Sequence, residues 1–153
     1  MFYTTRKPTR IAGFDYSSAN CYFITICAYN HRCIFGTPDR LNELGEIVKK
    51  HIQNIPIYYQ GVSVDHFVVM PNHVHLILKL DGSDKTAVPQ IIALFKTGAT
   101  KEIRRKFPDV LVWQRSFHDH IIRNKESYEK IWNYIDGNPQ CWDKDCFYKK
   151  CIN

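Results

Sequence analysis

No stretch of the 153 residues stays apolar for the roughly 18 positions that a membrane-spanning helix needs. The opening MFYTTRKPTR lacks the apolar centre of a secretory signal, so a cytoplasmic protein is expected. None of the six cysteines forms a C-x-x-C pair. Cys141, Cys146 and Cys151 recur every five residues, a spacing no common zinc site uses, and free thiols are expected. H-E-x-x-H is missing, as is H-x-E followed by P-C-x-x-C, which removes the familiar zinc protease and deaminase patterns. The sheet-borne aromatic run of RNA-recognition domains is missing too, although Tyr22 and Phe23 stand on a predicted strand.

What is present reads as one soluble globular domain over 1–153, with 44% hydrophobic and 24% charged residues. A basic arm covers about 1–12 and a tail about 140–153. Lys and Arg outnumber Asp and Glu by 21 to 15, which favours a polyanionic partner. The surplus clusters in RKPTR and in Lys96, Lys101, Arg104, Arg105 and Lys106.

The elements follow in a simple order. CYFITICAYN (21–30) is aromatic and β-branched, hence a strand. Thr37 followed by Pro38 predicts a helix start, with Leu41, Leu44, Ile47, Val48 and Ile52 at helical spacing. GVSVDHFVVM (61–70) and HVHLILKL (73–80) flank Pro71-Asn72 and predict a hairpin. A helix carries Ile91, Ile92, Leu94, Phe95 and Ile103, weakened by Gly98. VWQRSFHDHIIR (112–123) contains the fourth strand. Asn124 caps a last helix to about Asp136, closed by Gly137 and Pro139. This order predicts an α+β, ferredoxin-like βαββαβ sandwich, a four-stranded antiparallel sheet with an extra C-terminal helix.

VVMPNHVHLIL interrupts an apolar strand with His73 and His75. Alternation aims both at one face, where they are either two ligands of a metal or two polar residues on a half-exposed surface. His118 and His120 in FHDH repeat the spacing. The first strand is expected to separate the two pairs by about 10 Å, so one metal cannot take both. On the last helix Tyr128, Ile131, Trp132 and Ile135 form the stripe facing the sheet, and Tyr134 lies at its edge with Asn138 four residues on. Asn138 precedes Pro139, which disfavours helical backbone there.

MPNHVHLIL, VWQRSFHDHIIRN and YEKIWNYIDGNP together resemble the REP-associated tyrosine transposases and their insertion-sequence relatives, the single-tyrosine branch of the HUH endonucleases. The likeness runs from about Gly13 to Tyr148. It implies a ferredoxin-like nuclease domain in which His73 and His75 are metal ligands, Asn138 is the third ligand and Tyr134 is the nucleophile. Some relatives have glutamine where Asn138 stands. The implied reaction is metal-dependent nicking and strand transfer of single-stranded hairpin DNA through a 5′-phosphotyrosine. Mg²⁺ or Mn²⁺ is expected, from the need to ligate phosphate. Lys96, Lys101, Arg104, Arg105, Arg115 and Arg123 are candidates for holding DNA phosphates, and His120 for an accessory or basic role. Monomer and homodimer both occur among relatives, so the tyrosine acts either in cis or in trans. The alternative reading is a domesticated, non-cleaving binder of single-stranded DNA or RNA hairpins.

Overall fold

The computed structural model describes residues 10–151. The arm expected over 1–12 therefore falls largely outside the described residues. Arg10 is anchored: its guanidinium donates to Asp119 Oδ1 at 2.8 Å and lies over the Phe117 ring.

The strands are β1 (Asn20–Cys27), β2 (Val62–Val69), β3 (His73–Leu80) and β4 (His118–Ile122). They form one sheet in the order β2-β3-β1-β4, every neighbour antiparallel. The helices are α1 (Glu43–Gln53), a short α2 (Ile55–Tyr58), α3 (Val88–Lys106) and α4 (Lys125–Gly137), followed by a 3-10 turn at Pro139–Lys144. The ferredoxin-like α+β sandwich expected from the element order is thus the one observed. No helix among the described residues is long and apolar enough to cross a membrane.

Alternation on β3 divides the molecule. Val74, Leu76, Leu78 and Leu80 enter the main core with Val48 and Ile52 of α1 and Ile91, Ile92, Phe95 and Ile103 of α3. Ile77 points the other way, into a smaller core with Ile122 of β4 and Ile135 of α4. The added helix therefore covers the face that a plain βαββαβ sandwich leaves open. That is also the face of His73 and His75.

Two expectations change. The first helix begins not at Thr37–Pro38 but at Glu43. Residues 37–40 close a turn, Thr37 N donating to Arg40 O, and Gly36 adopts φ 115° where a Cβ would strike Arg40 O at 2.5 Å. Asn42 is the cap: its Oδ1 accepts from Gly45 N at 3.0 Å while its Nδ2 donates to Ile34 O. Leu41 accordingly lies before the helix. Gly98, expected to weaken α3, leaves it continuous, because its bare Cα lets the His51 ring of α1 approach to 3.2 Å of where a Cβ would stand.

The Asn42 cap can be checked by urea denaturation. Asn42→Ala is expected to cost about 1–2 kcal/mol, whereas Thr37→Ala, at an exposed turn, should stay within about 0.5 kcal/mol.

Candidate active site

Strand β3 presents His73 opposite Cys27 and His75 opposite Thr25. Both are shut from solvent, at 0% and 2% exposure. Each imidazole is oriented through Nδ1. The Asn72 amide nitrogen donates to His31 O at 3.2 Å and to Phe147 O at 2.7 Å, so its Oδ1 faces His73 Nδ1 at 2.8 Å and must accept. His73 therefore carries its proton on Nδ1, and its Nε2 is a bare lone pair. His75 Nδ1 meets Thr25 Oγ1 at 2.8 Å. With the proton on Nδ1 here as well, both Nε2 atoms point into the site, and neither has a hydrogen-bond partner.

Burial keeps both rings neutral. It pushes the His73 pKa down to about 4, with the Asp145 charge and Asn138 opposing only in part. Burial, then the neighbouring His73, holds His75 well below the ordinary value.

Helix α4 is fixed against this face by several contacts. Asn124 caps it, accepting from Ser127 N at 2.8 Å. The Tyr128 hydroxyl donates to Asp65 Oδ2 at 2.7 Å, and Asp65 is the extra residue of a β2 bulge between Val64 and His66. Trp132 stacks on His66 with centroids 4.3 Å apart, and Ile135 enters the smaller core. The expected stripe of Tyr128, Ile131, Trp132 and Ile135 does face the sheet, although Trp132 keeps 37% exposure.

This rotation sets the Tyr134 ring 5.3 Å from His75 and 6.2 Å from Phe23, with 44% of the residue still exposed. Burial, then the charge of Asp145, raises the Tyr134 pKa, and Asn138 works the other way. Asn138 keeps helical backbone (φ −60°, ψ −42°) in spite of Pro139, so the expected departure from helical alignment does not occur. Its Nδ2 donates to Asp145 Oδ2 at 3.1 Å, which leaves Oδ1 beside that carboxylate, buried and without a well-formed hydrogen bond.

Asp145 was invisible to pattern reading. It follows the 3-10 turn in a tail, DKDCF, that has no periodicity and offers Asp143 as an equal choice. Its side chain is fully buried, Oδ2 lying 3.6 Å from His73 Nε2. A neutral imidazole cannot form an ion pair, and its lone pair facing a carboxylate oxygen is repulsive unless a proton or a metal cation lies between them. Ligand atoms of His73, His75 and Asp145 fall within 4.8 Å of one another, and metal–ligand bonds of about 2.1 Å span nearly that distance. Two imidazole nitrogens, an amide oxygen and a carboxylate thus converge, and a divalent ion is the group that would satisfy them.

The other candidate residues lie apart. His118 shares a cross-strand row with Thr25 and His75, and His120 one with Phe23 and Ile77; both are exposed on edge strand β4. Lys96, Lys101, Arg104, Arg105 and Arg115 line one open cleft with Trp113 and Gln114. Within it Lys96 donates to the carbonyls of Gln114 and Ser116, and burial lowers its pKa to about 8. Arg104 Nε donates to Val110 O at 3.2 Å. Those two cations brace the segment before β4, while Lys101, Arg105 and Arg115 remain exposed. Arg123 is elsewhere, beside Asp65 and Tyr128.

Residues 16–138 match the family profile described as "Transposase IS200 like". The chain belongs to the IS200-like transposases. An uncharacterized protein of Haemophilus influenzae is 36% identical, across 94% of this chain and 93% of its own length. A second Haemophilus influenzae protein, provisionally assigned as a REP-associated tyrosine transposase, is 27% identical over 82% of this chain and 73% of that one. The fold matches the solved structure of a REP-associated tyrosine transposase bound to a REP hairpin, with TM-score 0.67 and 23% identity over 86% of this chain and 73% of the other. It also matches a provisionally assigned transposase from Deinococcus radiodurans, with TM-score 0.56 and 17% identity over 84% and 95%. This IS200-like transposase therefore joins a transposase fold to a buried donor set with a tyrosine beside it.

The buried imidazoles give a pH signature. Above the unfolded value of about 6.5 both states are neutral, and the histidines make stability independent of pH. As pH falls from there to about 4, the unfolded chain takes up the proton that folded His73 refuses. Urea midpoints of the metal-free protein should drop in that window, with His73 alone contributing about 1.4 kcal/mol per pH unit. A midpoint that stays flat between pH 6.5 and 4.5 would show that His73 is not held neutral.

Proposed function

We propose that this transposase nicks and rejoins single-stranded DNA beside a hairpin, with Tyr134 as nucleophile and a divalent ion held by His73, His75, Asn138 and Asp145. One observation carries the reading. Three buried acceptor atoms without partners, His73 Nε2, His75 Nε2 and Asn138 Oδ1, converge with a carboxylate next to a tyrosine of the same chain. A divalent ion there would neutralise a phosphate oxygen and orient the phosphorus for in-line attack. The oxygen-rich half of the donor set, Asn138 and Asp145, favours Mg²⁺ or Mn²⁺ over softer ions.

Tyr134 Oη attacks the phosphorus, the bond to the 3′-oxygen breaks, and the phenolic proton ends on that oxygen. The products are a 5′-phosphotyrosine and a free 3′-OH. Because burial and Asp145 keep the phenol protonated at rest, the proton leaves as the new bond forms, aided by Asn138. The covalent link conserves the phosphodiester's reactivity, so the 3′-OH of another strand can reverse the step and be joined.

The basic cleft lies on the α3 side of the sheet, and a strand held there would pass round the sheet's end to reach the histidines on the other face. Gln114 of that cleft donates to Cys27 O, and Cys27 pairs with His73, so cleft and histidines share one end of the sheet. Lys101, Arg105 and Arg115 would contact phosphates there. A hairpin substrate is supported by the REP hairpin bound in the structural relative. Since Tyr134 lies beside its own His75, the site is complete in cis and a monomer suffices.

Covalent capture tests this. Labelled hairpin DNA with a single-stranded flank, incubated with Mn²⁺, should give an adduct on a denaturing gel. Tyr134→Phe, His73→Ala or a chelator should abolish it, and tight binding without any adduct would favour the non-cleaving binder. Mixing Tyr134→Phe with His73→Ala protein separates the two geometries: a cis site stays inactive, and restored cleavage would mean a trans dimer. Asn72→Ala should weaken Mn²⁺ binding about 10–100-fold by calorimetric titration, because it frees the tautomer of His73.

A further inference from the structure

The tail after α4 folds back over the histidines. The Phe147 ring lies 4.8 Å from His73 and 6.3 Å from His75, and it stacks on His31 at 5.8 Å. Phe147 O accepts from Asn72, and Lys149 Nζ donates to Asn30 O at 2.9 Å. Asn30 and His31 belong to the turn after β1, both at the left-handed φ of 52°. The tail is thus docked on that turn and roofs the donor set.

The docking ends in two thiols. Cys33 lies just beyond the turn and Cys151 closes the tail. Both sulfurs donate to the same carbonyl oxygen, that of Lys149, at 3.7 and 3.8 Å, which brings the two thiols within interacting range of each other. Both residues are half-buried, within reach of a small oxidant. No other contact joins tail and turn so near the chain's end among the described residues.

We propose that Cys33 and Cys151 form a reversible disulfide that fastens the tail over the histidine pair. With a hydroperoxide as oxidant, one thiol takes the terminal oxygen to become a sulfenic acid and releases an alcohol, or water from hydrogen peroxide. The second thiol then displaces water as the sulfur–sulfur bond forms. Two thiols and one hydroperoxide give one disulfide, one alcohol and one water. The two cysteines are half-buried alike, so either can meet the oxidant while the other resolves it. The rival pair is Cys27 with Cys146, whose charge Cys27 feels; but Cys27 is buried at the end of β1, and no shared acceptor draws those two sulfurs together among the described residues.

The disulfide itself is independent of the nuclease reading; only its inhibitory effect rests on that reading. The test uses the full chain with a small excess of hydrogen peroxide. Intact mass should fall by two hydrogens, and non-reducing peptide mapping should join Cys33 to Cys151. Amide hydrogen exchange over 141–148 should slow by about tenfold, dithiothreitol should restore it, and Cys33→Ser or Cys151→Ser should prevent both changes. DNA cleavage, where present, should be lost on oxidation and regained on reduction in the wild type alone. A Cys27–Cys146 link, sulfinic acids without a cross-link, or a Cys33–Cys151 link that leaves exchange unchanged would each overturn the proposal. Mass and exchange decide it even if no DNA is cut.

Discussion

Two neutral imidazoles buried at the head of strand β3 are the constraint around which the rest is arranged. A lone pair removed from water and given no donor is costly, and here two such nitrogens and one amide oxygen share one small space. The fold holds them there by giving each ring a fixed partner on its far side, Asn72 for His73 and Thr25 for His75. The proposed cation would offset that cost, since it would satisfy these atoms and the Asp145 carboxylate together.

The tyrosine depends on the same arrangement at one remove. An irregularity in an edge strand, the β2 bulge, presents Asp65 to Tyr128 and His66 to Trp132. Those contacts set the rotation of α4, and that rotation alone decides whether Tyr134 meets His75 or solvent. The position of the candidate nucleophile is thus governed by Tyr128 and Trp132, which lie earlier on the same helix.

Much of this was legible in the sequence, for identifiable reasons. Strand alternation put His73 and His75 on one face, helical periodicity put Tyr134 at the margin of a buried stripe, and an N-cap at Asn124 marked where that helix begins. The likeness to transposases added Asn138 as the polar partner. Local chemistry misled at Thr37-Pro38, where a tight glycine turn overrode a plausible cap and moved the helix start to Asn42. It misled again at Pro139, whose effect on Asn138 is absorbed by the end of α4. Asp145 could not be found at all: nothing in DKDCF distinguishes it, and its burial comes from a tail whose path is set by contacts distant in sequence.

Asn72 joins three segments through one amide: the turn after β1, the tail, and His73 at the head of β3. Asp145 rides on that tail as well. On the proposed cation site, cation affinity and tail position become two readings of one equilibrium. Whatever factor the docked tail adds to cation binding, a bound cation must add to docking. On that proposal, a nucleic acid that displaced the tail would have to offset the coupling with its own contacts to the ion, so a strand lacking a well-placed phosphate would meet a thermodynamic threshold before any chemistry began.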